Sequence, residues 1–162
     1  MICLSVLLVA CGDSPPENPS LALGAGGFSL NLPPAMQEAL TAAAPGFKPV
    51  SVASFRSDVS QSAAEGGGIP SLFAVIGDFD GDGTLDAVVE GAVSGDQSLP
   101  VFAVLNKKDK PVAMEVTTFP SYDADAVGIY LSKATGTGAF MVVNYPDAST
   151  TYAFSGGKFV KQ

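Results

Sequence analysis

From residue 28 onward, short apolar runs alternate with polar or glycine-rich links. Residues 72–76, 87–93, 101–105, 111–119, 127–131, 139–143, 151–154 and 158–160 read as strands, because brief runs rich in Val, Phe and Tyr bounded by turn residues suit a pleated sheet. The links between them, among them SGDQ, NKKDK, KATGTG, YPDAST and SGG, are turn chemistry. Connections this short join antiparallel neighbours, since a parallel crossover needs a dozen or more residues. Upstream, residues 28–32 read as a further strand, and Val50, Val52 and Ser54 alternate as a strand would. Residues 56–70, RSDVSQSAAEGGGIP, read as a flexible loop. One helix is expected after Pro33: Pro34 suits a first helical position, Met36, Leu40 and Ala44 lie four apart, and Pro45-Gly46 stops the run. The expectation is an α+β domain: one antiparallel meander, curled or half-closed, with a single short helix covering a face.

Composition narrows the classes of function. Hydrophobic residues make up 47% and charged residues 15%, with 18 Gly and 12 Pro, which suits a strand-and-turn protein better than a disordered or coiled-coil one. The net charge of −8 repels phosphate backbones, and no basic patch is interleaved with aromatic residues, so nucleic acid is not an expected partner. Histidine is absent, which excludes the histidine-dependent triads and dyads. Ser155-Gly156-Gly157-Lys158 fits S-x-x-K but lacks its companion motifs, and a two-glycine hairpin turn explains it. Tyr122, Tyr130, Tyr145 and Tyr152 could line a sugar-binding face, although the chain has no tryptophan and strand tyrosines usually pack against neighbours.

Residues 2–10, ICLSVLLVA, form an apolar stretch too short to cross a bilayer, as in the hydrophobic region of a secretory signal. The stretch ends in Leu8-Val9-Ala10-Cys11, which resembles the lipobox of bacterial lipoproteins. The resemblance implies cleavage before Cys11, lipidation of its thiol, and loss of Cys3 with the signal. It departs from the pattern in lacking a basic start, the first basic residue being Lys48. The organisation expected is therefore a signal at 1–10, a lipidated cysteine and Pro/Gly-rich tether at 11–27, and one domain at 28–162. Anchorage in a bacterial envelope follows from the resemblance. Gly12 rather than aspartate after the cysteine favours the outer membrane of a Gram-negative cell.

The most informative stretch is FAVIGDFDGDGTLDAVVEG, which holds Asp78, Asp80, Asp82 and Asp86 within one short loop between apolar runs. Four carboxylates this close repel one another unless a counter-charge is supplied. With carboxylates at loop positions 1, 3, 5 and 9, glycine at 6 and the Thr84 carbonyl at 7, the loop offers the hard oxygens that Ca2+ prefers. Zinc and copper would want histidine or thiol ligands. An EF-hand shares D-x-D-x-D-G but has helical flanks and a glutamate at position 12, which here is Val89. Residues 77–88, GDFDGDGTLDAV, resemble the calcium hairpin of FG-GAP or VCBS-type repeats. That resemblance implies Ca2+ ligation by Asp78, Asp80, Asp82, the Thr84 carbonyl and Asp86. The motif occurs once and the chain has no internal period, so a full β-propeller is not expected.

The function expected from these readings is a monomeric, non-catalytic, calcium-binding envelope lipoprotein, in which the ion clips a binding or accessory module whose protein or glycan partner is unspecified. The alternative is a small envelope hydrolase or carbohydrate-binding domain with an unidentified site.

Overall fold

The computed structural model describes residues 17–24, 27–65, 71–120, 123, 125–134 and 138–162. Two strands open the described chain, β1 (Ser20–Gly24) and β2 (Gly27–Asn31), paired as an antiparallel hairpin of their own. Helix α1 (Pro34–Ala43) follows, starting at a proline and burying Met36 and Leu40 as the four-residue spacing demands. Next come β3 (Phe47–Pro49), a 3-10 turn at Val52–Ser54 and helix α2 (Ser57–Glu65). The main sheet is completed by β4 (Ala74–Gly77), β5 (Asp86–Val93), β6 (Leu99–Leu105) and β7 (Val112–Phe119). A separate meander holds β8 (Ile129–Lys133), β9 (Ala139–Asn144), β10 (Ala148–Ser155) and β11 (Lys158–Lys161), in the order β11-β10-β9-β8.

The α+β expectation is corrected: strand accounts for 50% and helix for 15%, so the chain is mostly β, with three separate antiparallel sheets rather than one curled sheet. The sheets stay separate because of edge occupancy. Strand β5 receives β6 on one edge, and β3 and β4 take successive segments of its other edge, β4 against 86–89 and β3 against 91–93. With β7 closing the far side of β6, the chain crosses over and β8 starts a new sheet beside β4, joined by the Leu131 N–H to the Leu72 carbonyl at 2.7 Å.

Two local expectations also change. Residues 57–65 form α2, not a loop. Its first turn carries Asp58, whose carboxylate accepts the Val59 N–H at 3.0 Å, and among its described side chains the buried stripe is Val59 and Ala63, too narrow to stand out among serines. Val52–Ser54 is a 3-10 turn rather than a strand, with the Ser51 hydroxyl accepting the Ala53 N–H.

Strands β5 and β6 are buried over most of their length on both faces, α1 lying against β6 and β7. The crowding is greatest at Gly91, where a Cβ would fall on the Lys48 carbonyl oxygen and the Phe47 ring of β3. Gly91→Ala is expected to prise β3 from β5 and lower stability by about 1 to 3 kcal/mol, read from the urea midpoint; an unchanged midpoint would contradict this packing.

Candidate metal centre

The site is the loop joining β4 to β5, and its shape follows from the aspartates themselves. Asp78 Oδ1 accepts the N–H groups of Gly81 at 2.8 Å and Asp82 at 3.1 Å, and its Oδ2 accepts that of Gly83 at 3.0 Å. The backbone is thereby wound around one carboxylate. Gly81 and Gly83 have φ of 78° and 88°, the left-handed region glycine occupies without penalty. Asp80 Oδ1 takes the Asp82 N–H at 3.1 Å.

Asp86, the first residue of β5, is fully buried. Its two oxygens are fixed by backbone donors, Phe79 N–H at 2.9 Å and Asn106 N–H at 2.8 Å. Burial pushes its pKa up to about 6; the two N–H groups oppose the rise, and Asp80 and Asp82 add to it. Between these carboxylates, Phe79 is buried against Phe140 and Phe159, with ring centroids 5.6 and 6.3 Å away. Phe79 of the D-F-D run thereby plugs the loop into the aromatic cluster of the β8–β11 sheet.

Carboxylate oxygens of Asp78, Asp80 and Asp86 lie within 4.8 Å of one another, and this trio can hold a metal ion. Asp82 stands outside the trio. Its Oδ1 accepts the Thr84 N–H at 2.9 Å and lies 2.6 Å from the Thr84 hydroxyl, which holds its pKa below the usual carboxylate range. The Thr84 hydroxyl also lies 2.7 Å from the Asn106 carbonyl oxygen. The donor set fits a hard cation: every candidate ligand is a carboxylate oxygen, and each carboxylate has lone pairs beyond those its N–H partners use.

Two residues outside the motif complete the centre. Buried Asn106, just past β6, contacts Asp86 and Thr84 through its backbone, and its side-chain amide donates to the Glu17 carbonyl at 3.1 Å. Lys107 follows. Its ammonium forms a salt bridge with Asp80, lies 3.7 Å from Asp82 Oδ2, and sits 5.7 Å from the centre of the Phe154 ring. Asp80 holds the lysine pKa above its ordinary value. Sequence reading passed both residues over as turn. The available signal was that Lys107, Lys108 and Lys110 place three of the chain's eight basic residues in one link, directly after a strand that pairs with β5.

Other candidates are placed differently. Ser155 and Lys158 pair across the β10–β11 hairpin, whose Gly156 and Gly157 have φ of 59° and 83°, as a two-residue turn requires. Tyr130 is buried, and half-buried Tyr152 stacks on Phe140 with ring centroids 5.7 Å apart, so both pack against neighbours as strand tyrosines do. Tyr122 and Cys11 lie outside the described residues. No helix among the described residues is long and apolar enough to cross a membrane. A cleft of about 650 Å3 opens beside the loop, with Asp78, Asp80, Lys133 and Phe154 in its wall. Comparison with protein-family models, with curated proteins and with solved structures finds no match, so the functional argument rests on this centre.

Proposed function

We propose that the chain is a calcium-binding module of the FG-GAP or VCBS type, carried on a bacterial envelope lipoprotein, in which Ca2+ acts as a structural clip. The observation that carries the reading is the convergence of Asp78, Asp80 and Asp86 within 4.8 Å at the junction of two paired strands. Three carboxylates at that separation favour a divalent counter-ion, and hard oxygens select calcium over softer metals. When bound, the ion would neutralise Asp78, Asp80 and Asp86. Asp82 and the Thr84 carbonyl complete the ligand set that the motif implies.

The chain's own contribution is to preorganise these oxygens. Asp78 winds the loop, Phe79 pins it to the aromatic cluster, and Asn106 fixes Asp86. The role follows from position: the loop joins β4 to β5 and touches the second sheet, so fixing it stabilises the junction of the two sheets. The cleft beside the loop favours small-ligand binding as the module's accessory role, with Lys133 and Phe154 as its wall.

Calorimetric titration with CaCl2 tests the reading. One site with a dissociation constant of roughly 0.1 to 1 mM is expected, the range of extracellular modules, and Asp80→Asn should abolish it. Absence of heat at millimolar calcium would refute it. The anchor is tested separately: labelled palmitate should enter the full-length protein in a bacterial host, and Cys11→Ser should remove the label.

A further inference from the structure

We infer that Lys107 is a tethered competitor for the cation, an ammonium that occupies the loop's charge when no ion is present and must leave Asp80 for an ion to bind there; the inference rests on the cation reading above. Asp80 is the key. Its side chain is fully buried, and among the described residues its Oδ2 has no hydrogen-bond partner, so the Lys107 ammonium is the counter-charge that this oxygen meets. A buried carboxylate oxygen without hydrogen-bond donors is costly unless a cation faces it. Lysine and calcium therefore compete for one carboxylate, that of Asp80, which belongs to the trio that can hold a metal.

The lysine is also built to depart. Its side chain is 36% exposed, and its ammonium stands 5.7 Å from the centre of the Phe154 ring, an aromatic face suited to receiving a displaced ammonium. Phe154 and Asp80 both line the cleft beside the loop, so leaving Asp80 does not take the lysine through the core. Two physical consequences follow. The ion-free loop keeps its fold because one of its repelling charges is neutralised from within the chain. The cation affinity is weaker than the carboxylates alone would give, because ion binding must first break the Lys107–Asp80 pair.

The test is calorimetry of the full chain and of its Lys107→Met variant with CaCl2, with thermal melting of each in chelator. Lys107→Met keeps the side-chain length and removes the charge. It is expected to bind calcium at least tenfold more tightly, to melt at a lower temperature in chelator, and to gain more from calcium than the parent does. Lys107→Gln should give the same direction, which guards against a single ill-behaved variant. Equal or weaker calcium affinity in both folded variants would overturn the competitor role and leave the cation reading intact. No binding by the parent or by either variant would overturn both. Binding by the variants alone would refute calcium binding by the parent chain while supporting Lys107 as the group that keeps the ion out.

Discussion

Asp86→Ala is expected to lower stability by about 2 to 5 kcal/mol, because it strands two buried backbone donors, the N–H groups of Phe79 and Asn106. Both anchors of the loop would be lost together. Phe79 is the residue that plugs into the aromatic cluster, and Asn106 carries the tie to Glu17. Set against an ordinary domain stability of 5 to 15 kcal/mol, roughly speaking, such a loss leaves little reserve. Asp82→Ala is the control. Asp82 is exposed and serves mainly Thr84, so its removal should cost under about 1 kcal/mol. Urea unfolding of the two variants in chelator separates these outcomes. Equal losses would mean that Asp86 does not organise the loop.

The second large effect has the opposite sign. Glu90, in the middle of β5, is fully buried, and neither carboxyl oxygen has a hydrogen-bond partner among the described residues. It sits at a seam: its N–H donates to Phe73 just before β4, while its carbonyl accepts from Val50 just after β3. Burial alone pushes its pKa well above the ordinary 4.5. The elements around it supply no compensating charge. Strands β4 and β6 contain no ionisable residue, and Lys48 of β3, Glu115 of β7 and Glu38 of α1 are exposed. Because the folded state holds this proton more tightly, Glu90's contribution is most favourable below pH about 4.5. Stability then falls as pH rises toward the folded-state pKa. Glu90→Leu is expected to add about 1 to 3 kcal/mol at neutral pH, by removing an unpartnered polar group from the interior. It should also flatten stability against pH above 4.5. A destabilised variant with an unchanged pH profile would show that the carboxyl is paired after all.

Much of this architecture is written locally, and the rest is not. The helix α1 was legible because Pro34, Met36 and Leu40 combine a start signal with a periodic stripe. The β10–β11 hairpin was legible because Gly156-Gly157 between two apolar runs readily takes the two positive φ values that a tight hairpin turn needs. Helix α2 was not, because serine and alanine carry little periodic contrast and, among its described side chains, only Val59 and Ala63 are buried. The division into three sheets could not be read either. It depends on β3 and β4 sharing one edge of β5, a long-range pairing that no local pattern encodes.

The candidate centre shows the same split. Asp78, Asp80 and Asp86 converge from one short loop, so their closeness in sequence suggested the cluster. Lys107 and Asn106 arrive through the pairing of β6 with β5, about twenty residues away in sequence. Glu90 escaped notice for a related reason: its neighbours in β5 are buried on both faces, so alternation gave no hint that a carboxyl had been enclosed.

The central claim is that a ring of carboxylate oxygens on the β4–β5 loop holds a divalent cation on which the fold draws. Thermal melting of the chain in chelator and in calcium at about ten times its dissociation constant tests it most directly. A ligand bound only by the folded state then adds about 1.4 kcal/mol, which raises the melting temperature by about 4 °C for a domain of this size. The account predicts that rise for the parent chain and its disappearance in Asp80→Asn. Identical melting curves with and without calcium would contradict it.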